Sequence, residues 1–175
     1  MSIYEFGGKS PKIGAGTWVH ETAQIIGDVE IGEGCFIGAG AVLRGDFGPI
    51  RVGDRSSVQE NCVMHCRPGE RCVVGSDATV GHGAVLHGCT VKDRAVVGMH
   101  ATMSDYSVVG EDSIVGEGSV VRSKQEIPPV SLAVGVPAEV KGPLKENQIA
   151  FKNLGAKAYN ELTKRYFKEA RKISD

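Results

Sequence analysis

Aliphatic residues recur every six positions along most of the chain. They fall at Ile13, Val19, Ile25, Ile31, Ile37 and Leu43, and after three extra residues at Val52, Val58 and Met64. Four more residues intervene before Val74, Val80 and Leu86, and one is lost before Val91, Val97, Met103, Val109, Val115 and Val121. Gly follows directly at 14, 32, 38, 53, 75, 81, 98, 110 and 116, and a small residue such as Ala23, Cys35, Ala41, Cys62 or Ser107 stands four places on. Six steps of 100° scatter these aliphatics over three directions of a helix and leave no stripe to bury. In extended chain, positions i and i+4 share a face. That face is large then small, as a narrow interior requires, and Gly at i+1 suits a corner where the chain turns tightly. Three hexads and three corners close one triangular coil of 18 residues, which is the hexapeptide β-helix solution. The eighteen hexads predict an all-β solenoid of six coils, roughly 29 Å of prism at ~4.8 Å per rung.

The pattern fades at Ile127-Pro128-Pro129 and Gly135-Val136-Pro137-Ala138, and after Pro143 the composition shifts to helix formers. The expected organisation is a β-helix domain over 1–142 and a helical segment over 143–175 packing on it. Lys145 to Asn153 and Ala156 to Ile173 read as two helices broken at Gly155. Tyr159, Leu162, Tyr166 and Ile173 form the apolar stripe of the second.

Composition narrows the class. A formal net charge of −1 on 175 residues gives no electrostatic footprint for nucleic acid or an anionic membrane. No apolar run approaches the ~18 residues of a transmembrane helix, and the first residues lack the basic and apolar regions of a signal peptide. A cytoplasmic protein is the expectation. Glycine contributes 24 residues and aromatics only 6%, consistent with a prism too narrow for many rings. Five cysteines, an odd number without a secretory signal, argue for small buried thiols rather than a disulfide framework. Cys66 and Cys72 flank a short loop and could bridge on oxidation.

The hexad frame sharpens three histidines. Leu43, Met64 and Leu86 start hexads on one face of successive coils, so the residues after them, Arg44, His65 and His87, stack one rung apart. Two imidazoles at that separation can share one metal with bonds of ~2.0–2.1 Å. His82 belongs to the preceding face, round a corner, where a neighbouring subunit could bring it to the pair. A three-fold arrangement of prisms would create equivalent interface sites. Three neutral imidazoles leave a zinc with an open position and lower the pKa of bound water towards ~7. Iron or cobalt suits the same nitrogens. His20 and His100 read as solvated surface residues.

Arg44-Gly-Asp46, Ser57-Val-Gln-Glu-Asn61 with Val63-Met-His65, Val80-Gly-His82 and Leu86-His-Gly-Cys89 together resemble the γ-class carbonic anhydrases. They also resemble the branch of ferripyochelin-binding, carnitine-operon and phenylacetate-degradation proteins, which shares these motifs. The resemblance implies a left-handed coil, a homotrimer, zinc (Zn2+) at each interface and reversible hydration of CO2 to bicarbonate. It implies His65 and His87 from one subunit and His82 from the next. It assigns Arg44 and Asp46 to interface contacts, Gln59 to orienting the metal-bound water, and Tyr159 to reaching the site. Glu60 stands where the family commonly has Asp. Phe47 follows Asp46 where the prototype has a proton-shuttling glutamate, and the long acidic loop is here the short Cys66–Cys72 segment, in which Glu70 is a solvated charge or a substitute. Two other classes stay open: a hexapeptide-repeat acyl-CoA enzyme, either acyltransferase or thioesterase, and a metal-stabilised scaffold without catalysis.

Overall fold

The computed structural model describes residues 2–174. The six-residue columns become the three faces of a left-handed parallel β-helix. Ile25, Leu43, Met64, Leu86, Met103 and Val121 line one face and are wholly buried. The columns from Ile31 to Ile127 and from Val19 to Ala133 line the other two. Neighbouring coils pair in parallel register, Leu43 with Met64, Leu86 with Met64 and Met103, and Val80 with Val58 and Val97. Each buried aliphatic contributes roughly 1.5–3 kcal/mol of transfer energy.

The stack is longer than the expected six coils. Strands Trp18–Val19, Phe36–Ile37, Ser57–Val58, Thr79–Val80, Val96–Val97, Ile114–Val115 and Ser131–Val134 mark seven turns on one face. Ile127 and Ala133 keep the period and are buried at 1% and 0% exposure, so the prolines do not end the pattern. The position beside an inward residue donates to the next coil, as Gly110 does to Ile127, but strand Glu126–Ile127 is the last on its face, so Pro128 costs no ladder hydrogen bond. Ser2–Tyr4 also pairs with Gln24–Ile26, ahead of the first hexad. An antiparallel strand, Glu139–Pro143, covers the far edge.

The glycines at i+1 do a different job from the one expected. None of them has positive φ; the left-handed residues stand at i+3, as Gly16, Gly34, Asn61, Asp77, Arg94, His100, Tyr106 and Asp112 do. A Cβ on Gly98 would lie 2.6 Å from the Glu117 backbone nitrogen of the next coil. These glycines therefore let backbones stack at the corners, and the turn itself is made two residues later, by Gly, Asn, Asp or a larger residue.

All five cysteines are free and buried, at inward positions that admit only small side chains. The expected helix pair is one continuous helix, Glu146–Glu169 (α1). Gly155 costs about 1 kcal/mol relative to Ala in such a helix, and tertiary packing overrides it. Ile173 lies past the helix end and is 96% exposed, so it is not part of the stripe. Tyr159 and Tyr166 are. Tyr166 packs on Trp18 and Phe36, and Tyr159 on Phe36, at centroid distances of 5.2–5.4 Å. At its other end α1 is pinned by the buried ammonium of Lys152, which donates to Asp112 Oδ1 at 2.8 Å and to the Arg94 carbonyl at 3.1 Å.

Candidate metal and acid-base site

His65 and His87 pair directly in register, as the hexad frame requires. His65 Nδ1 and His87 Nε2 are 3.3 Å apart. Each ring's other nitrogen meets a carboxylate. His65 Nε2 donates to Asp46 Oδ1 at 2.9 Å, and His87 Nδ1 donates to Asp105 Oδ1 at 2.7 Å. A carboxylate behind an imidazole fixes its tautomer and keeps the inner nitrogen a lone-pair donor. Two such lone pairs facing each other can hold one cation between them. The 3.3 Å separation matches one edge of a tetrahedron with metal–nitrogen bonds of about 2.0–2.1 Å. The donor set therefore fits a borderline-soft divalent metal.

Cations anchor both carboxylates. Arg44 Nη1 donates to Asp46 Oδ2, and Arg67 Nε to Asp105 Oδ2, each at 2.7 Å. Burial raises the Asp46 pKa, but hydrogen bonds from His65 and Arg44 outweigh it and hold the carboxyl below its usual range. Asp105 behaves likewise under Arg67 and His87. Arg44 Nη2 also donates to His65 Nδ1 at 3.4 Å, so the guanidinium touches both the carboxylate and the ring that it backs. Phe47 lies 5.3 Å from the His65 ring and half-exposed over it.

The remaining predicted residues gather at another corner. Glu60 and His82 stand one coil apart, with Glu60 Oε2 2.6 Å from His82 Nδ1. The Tyr159 hydroxyl, carried in by α1, lies 3.5 Å from His82 Nε2. Burial first, then the Glu60 charge, pushes Tyr159 up to about 12, so its hydroxyl stays protonated and acts as a donor. Gln59 is 4% exposed on this side. Within one chain His82 does not join His65 and His87. Among the described residues no three His, Cys, Asp or Glu side chains converge as a metal cage. Glu70 sits apart from the imidazoles and accepts from the Tyr106 hydroxyl at 3.1 Å.

Sequence reasoning missed Asp105 and Arg67. The coil here is 17 residues long, Leu86 pairing with Met103, so Asp105 stands one coil on from Gly88, the neighbour of His87, and that register was the available signal. Gly88 makes the contact possible, since a Cβ there would lie 2.6 Å from Asp105 Oδ1.

Comparison with known proteins places this geometry. Models of the bacterial transferase hexapeptide (six repeats) match residues 10–45, and of the hexapeptide repeat of succinyl-transferase residues 28–65 and 69–99. The carnitine operon protein CaiE of Citrobacter koseri is 40% identical over 94% of this chain and 84% of its own length. The chain belongs to the hexapeptide-repeat family that includes CaiE. The CaiE of Escherichia coli O157:H7 is 37% identical over the same shares. Among solved structures, a putative acetyltransferase of Bacillus cereus superposes with a TM-score of 0.93, 35% identity and coverage of 94% and 96% of the two chains. A hexapeptide transferase family protein of Anaplasma phagocytophilum gives 0.91, 33%, 94% and 98%. In this CaiE-containing family, then, the chain carries a carboxylate-backed imidazole pair at one corner and a His–Glu–Tyr cluster at another. Among the described residues no helix is long and apolar enough to cross a membrane.

Proposed function

We propose that this protein is a metal-dependent hydratase of the γ carbonic anhydrase kind, acting on CO2 and bicarbonate. Its centre would be assembled between subunits of a homotrimer, with His65 and His87 meeting His82 of the partner subunit. The observation that carries this reading is the 3.3 Å approach of His65 Nδ1 to His87 Nε2, with a carboxylate behind each ring. Bound there, zinc or another divalent metal supplies a Lewis acid that generates hydroxide near neutral pH. The chain's own groups do the rest. Asp46 and Asp105 hold protons on the outer nitrogens and aim the inner ones. Arg44 steadies Asp46 against His65, and Phe47 keeps one side of the ring apolar. Gln59 and the Tyr159 hydroxyl offer hydrogen bonds on the His82 side, where Glu60 aims the imidazole. Protons leave to buffer, because Phe47 cannot carry them.

The test is CO2 hydration by stopped flow on protein with measured zinc content, in strong buffer. Turnover that tracks zinc occupancy and disappears in His65→Ala supports the reading. No turnover at full occupancy overturns it.

A second reading, acyl transfer, is favoured by the transferase names of the relatives and by one feature of the site. His82 with Glu60 2.6 Å behind it is an oriented, half-exposed base of the kind that activates an acyl acceptor. Consumption of acetyl-CoA that survives chelation and is lost in His82→Ala would establish it over the first.

A further inference from the structure

The outer surface beneath α1 changes character along its length. At one end the aromatic rings of Trp18, Phe36, Tyr159 and Tyr166 fill the space between helix and sheet. Further on, the sheet presents the shorter Thr79, Val96, Ile114 and Leu132, and α1 presents Gly155, beside which a Cβ would meet nothing within 4 Å. The result is a groove of about 510 Å³, within the range of small-molecule pockets. It runs across the rungs from Gln59 to Leu132, roughly 19 Å at ~4.8 Å per rung. Phe151 forms its outer wall while 78% exposed, an apolar ring that a ligand would cover.

The ends of the groove differ from its walls. The inner end holds the Gln59 amide and the Tyr159 hydroxyl. One rung beneath Thr79 the Ser57 hydroxyl is 2% exposed and has no hydrogen-bond partner. Lys152 borders the groove, but its ammonium is spent on Asp112, Asn153 and the Arg94 carbonyl. The carboxylates nearby, Glu117 in the lining and Glu60 beside Tyr159, repel an anion. Donors at the inner end with no free cation select a neutral acceptor.

We propose that this groove binds a medium-length straight-chain acyl compound with a neutral carbonyl head, an amide, ester or thioester. The chain lies along Val96, Ile114, Leu132 and Phe151, and the carbonyl accepts from Gln59 and Tyr159. The head shares Gln59 and Tyr159 with the His82 corner, whereas His65 and His87 take no part in the groove lining.

The probe is N-methyloctanamide, followed by calorimetry and by the methyl NMR signals of Ile114 and Leu132 on the full chain in its native assembly. N-methylacetamide tests the tail and octanoate the head. N-methyloctanamide should bind saturably and at least about a hundredfold more tightly than N-methylacetamide, because its six extra methylenes add about fourfold each when buried and burying even three or four of them gives that gain. Octanoate should bind at least about tenfold more weakly than the amide. Ile114→Trp, which fills the groove, should abolish binding. Phe151→Ala, on an exposed helix position that folding does not need, should weaken it several-fold. His65→Ala should leave it unchanged, so its result is separate from that of the hydratase test. Equal affinity for the long and short amides, tighter binding of octanoate, methyl shifts confined to another face, or no saturable binding would each overturn the proposal.

Discussion

The two corners that carry the histidines are built differently. At the His65–His87 corner both imidazoles and both carboxylates are held by groups of the β-helix and its inserted loop. Two rungs of strand hold the rings, and the carboxylates behind them are each clamped by an arginine at 2.7 Å. At the His82 corner the ring is 45% exposed on its side chain and is approached by one carboxylate and by a tyrosine from a separate element. The first is a preorganised half-site, with the inner nitrogens already at bonding separation. The second is an adaptable arm whose ring can reorient. A site divided in this way places geometric selectivity on the rigid pair and leaves the closing contact to assembly.

The strongest way to break that contrast is to remove one half at a time. His87→Ala and His82→Ala should each lose stoichiometric zinc, with affinity falling by more than about a hundredfold, read by metal analysis of gel-filtered protein. If the halves come from different subunits, refolding the two variants together should restore about a quarter of the wild-type sites by random assortment in a ring. No restoration would place all three imidazoles in one chain.

A smaller effect should separate the supports. Asp105→Asn leaves the His87 contact but weakens its hold on the tautomer, lowering zinc affinity about 10–100-fold with an unchanged melting curve. Glu60→Gln should cost less, because His82 retains the Tyr159 contact. Competition with a zinc chelator measures both.

Acid should also loosen the anchor that holds α1 against the prism. Burial raises the Asp112 pKa, but hydrogen bonds from Arg94 and Lys152 outweigh it and hold the carboxyl below its usual range. Its contribution to anchoring α1 is thus present above about pH 4 and is lost as pH falls through its depressed folded value. Trp18, which packs on Tyr166 and Phe167 of the helix, should shift its fluorescence to the red in that range. Asp112→Asn should show the shifted emission already at neutral pH. The smallest change expected is a gain. Gly155→Ala should stabilise α1 by up to about 1 kcal/mol, visible as a modest rise in melting temperature.

The rigid corner was largely legible in the sequence because the repeat fixes register. Once Leu43, Met64 and Leu86 are placed inward, Arg44, His65 and His87 must stack, and they do. The same frame sets Glu60 one coil beneath His82, since Val58 pairs with Val80. Asp105 escaped because acidic residues two places after the inward aliphatic are ordinary here, as Asp54 and Asp93 show, and nothing local distinguishes the one that faces an imidazole. Arg67 lies in an inserted loop outside the period, where its direction is set by Asp105 rather than by the chain. The role of the corner glycines was misread for a related reason: period alone does not separate a residue that turns the chain from one that makes room for the next coil. The continuity of α1 through Gly155 rests on aromatic and Lys152 contacts from distant rungs, which helix propensity does not contain.

That helix has one more consequence. A solenoid is an open ladder in which each rung feels only its neighbours, so it can unzip from either end. α1 runs back along the stack from the level of Asp112 to that of Trp18 and joins rungs made far apart in the chain. The ladder becomes a closed loop, and the rung that carries Trp18 cannot peel away without releasing α1. Emerging from the ribosome, the coil that carries Trp18 stays unlocked until α1 has been made, so the locking of that coil and the completion of the His82 corner coincide.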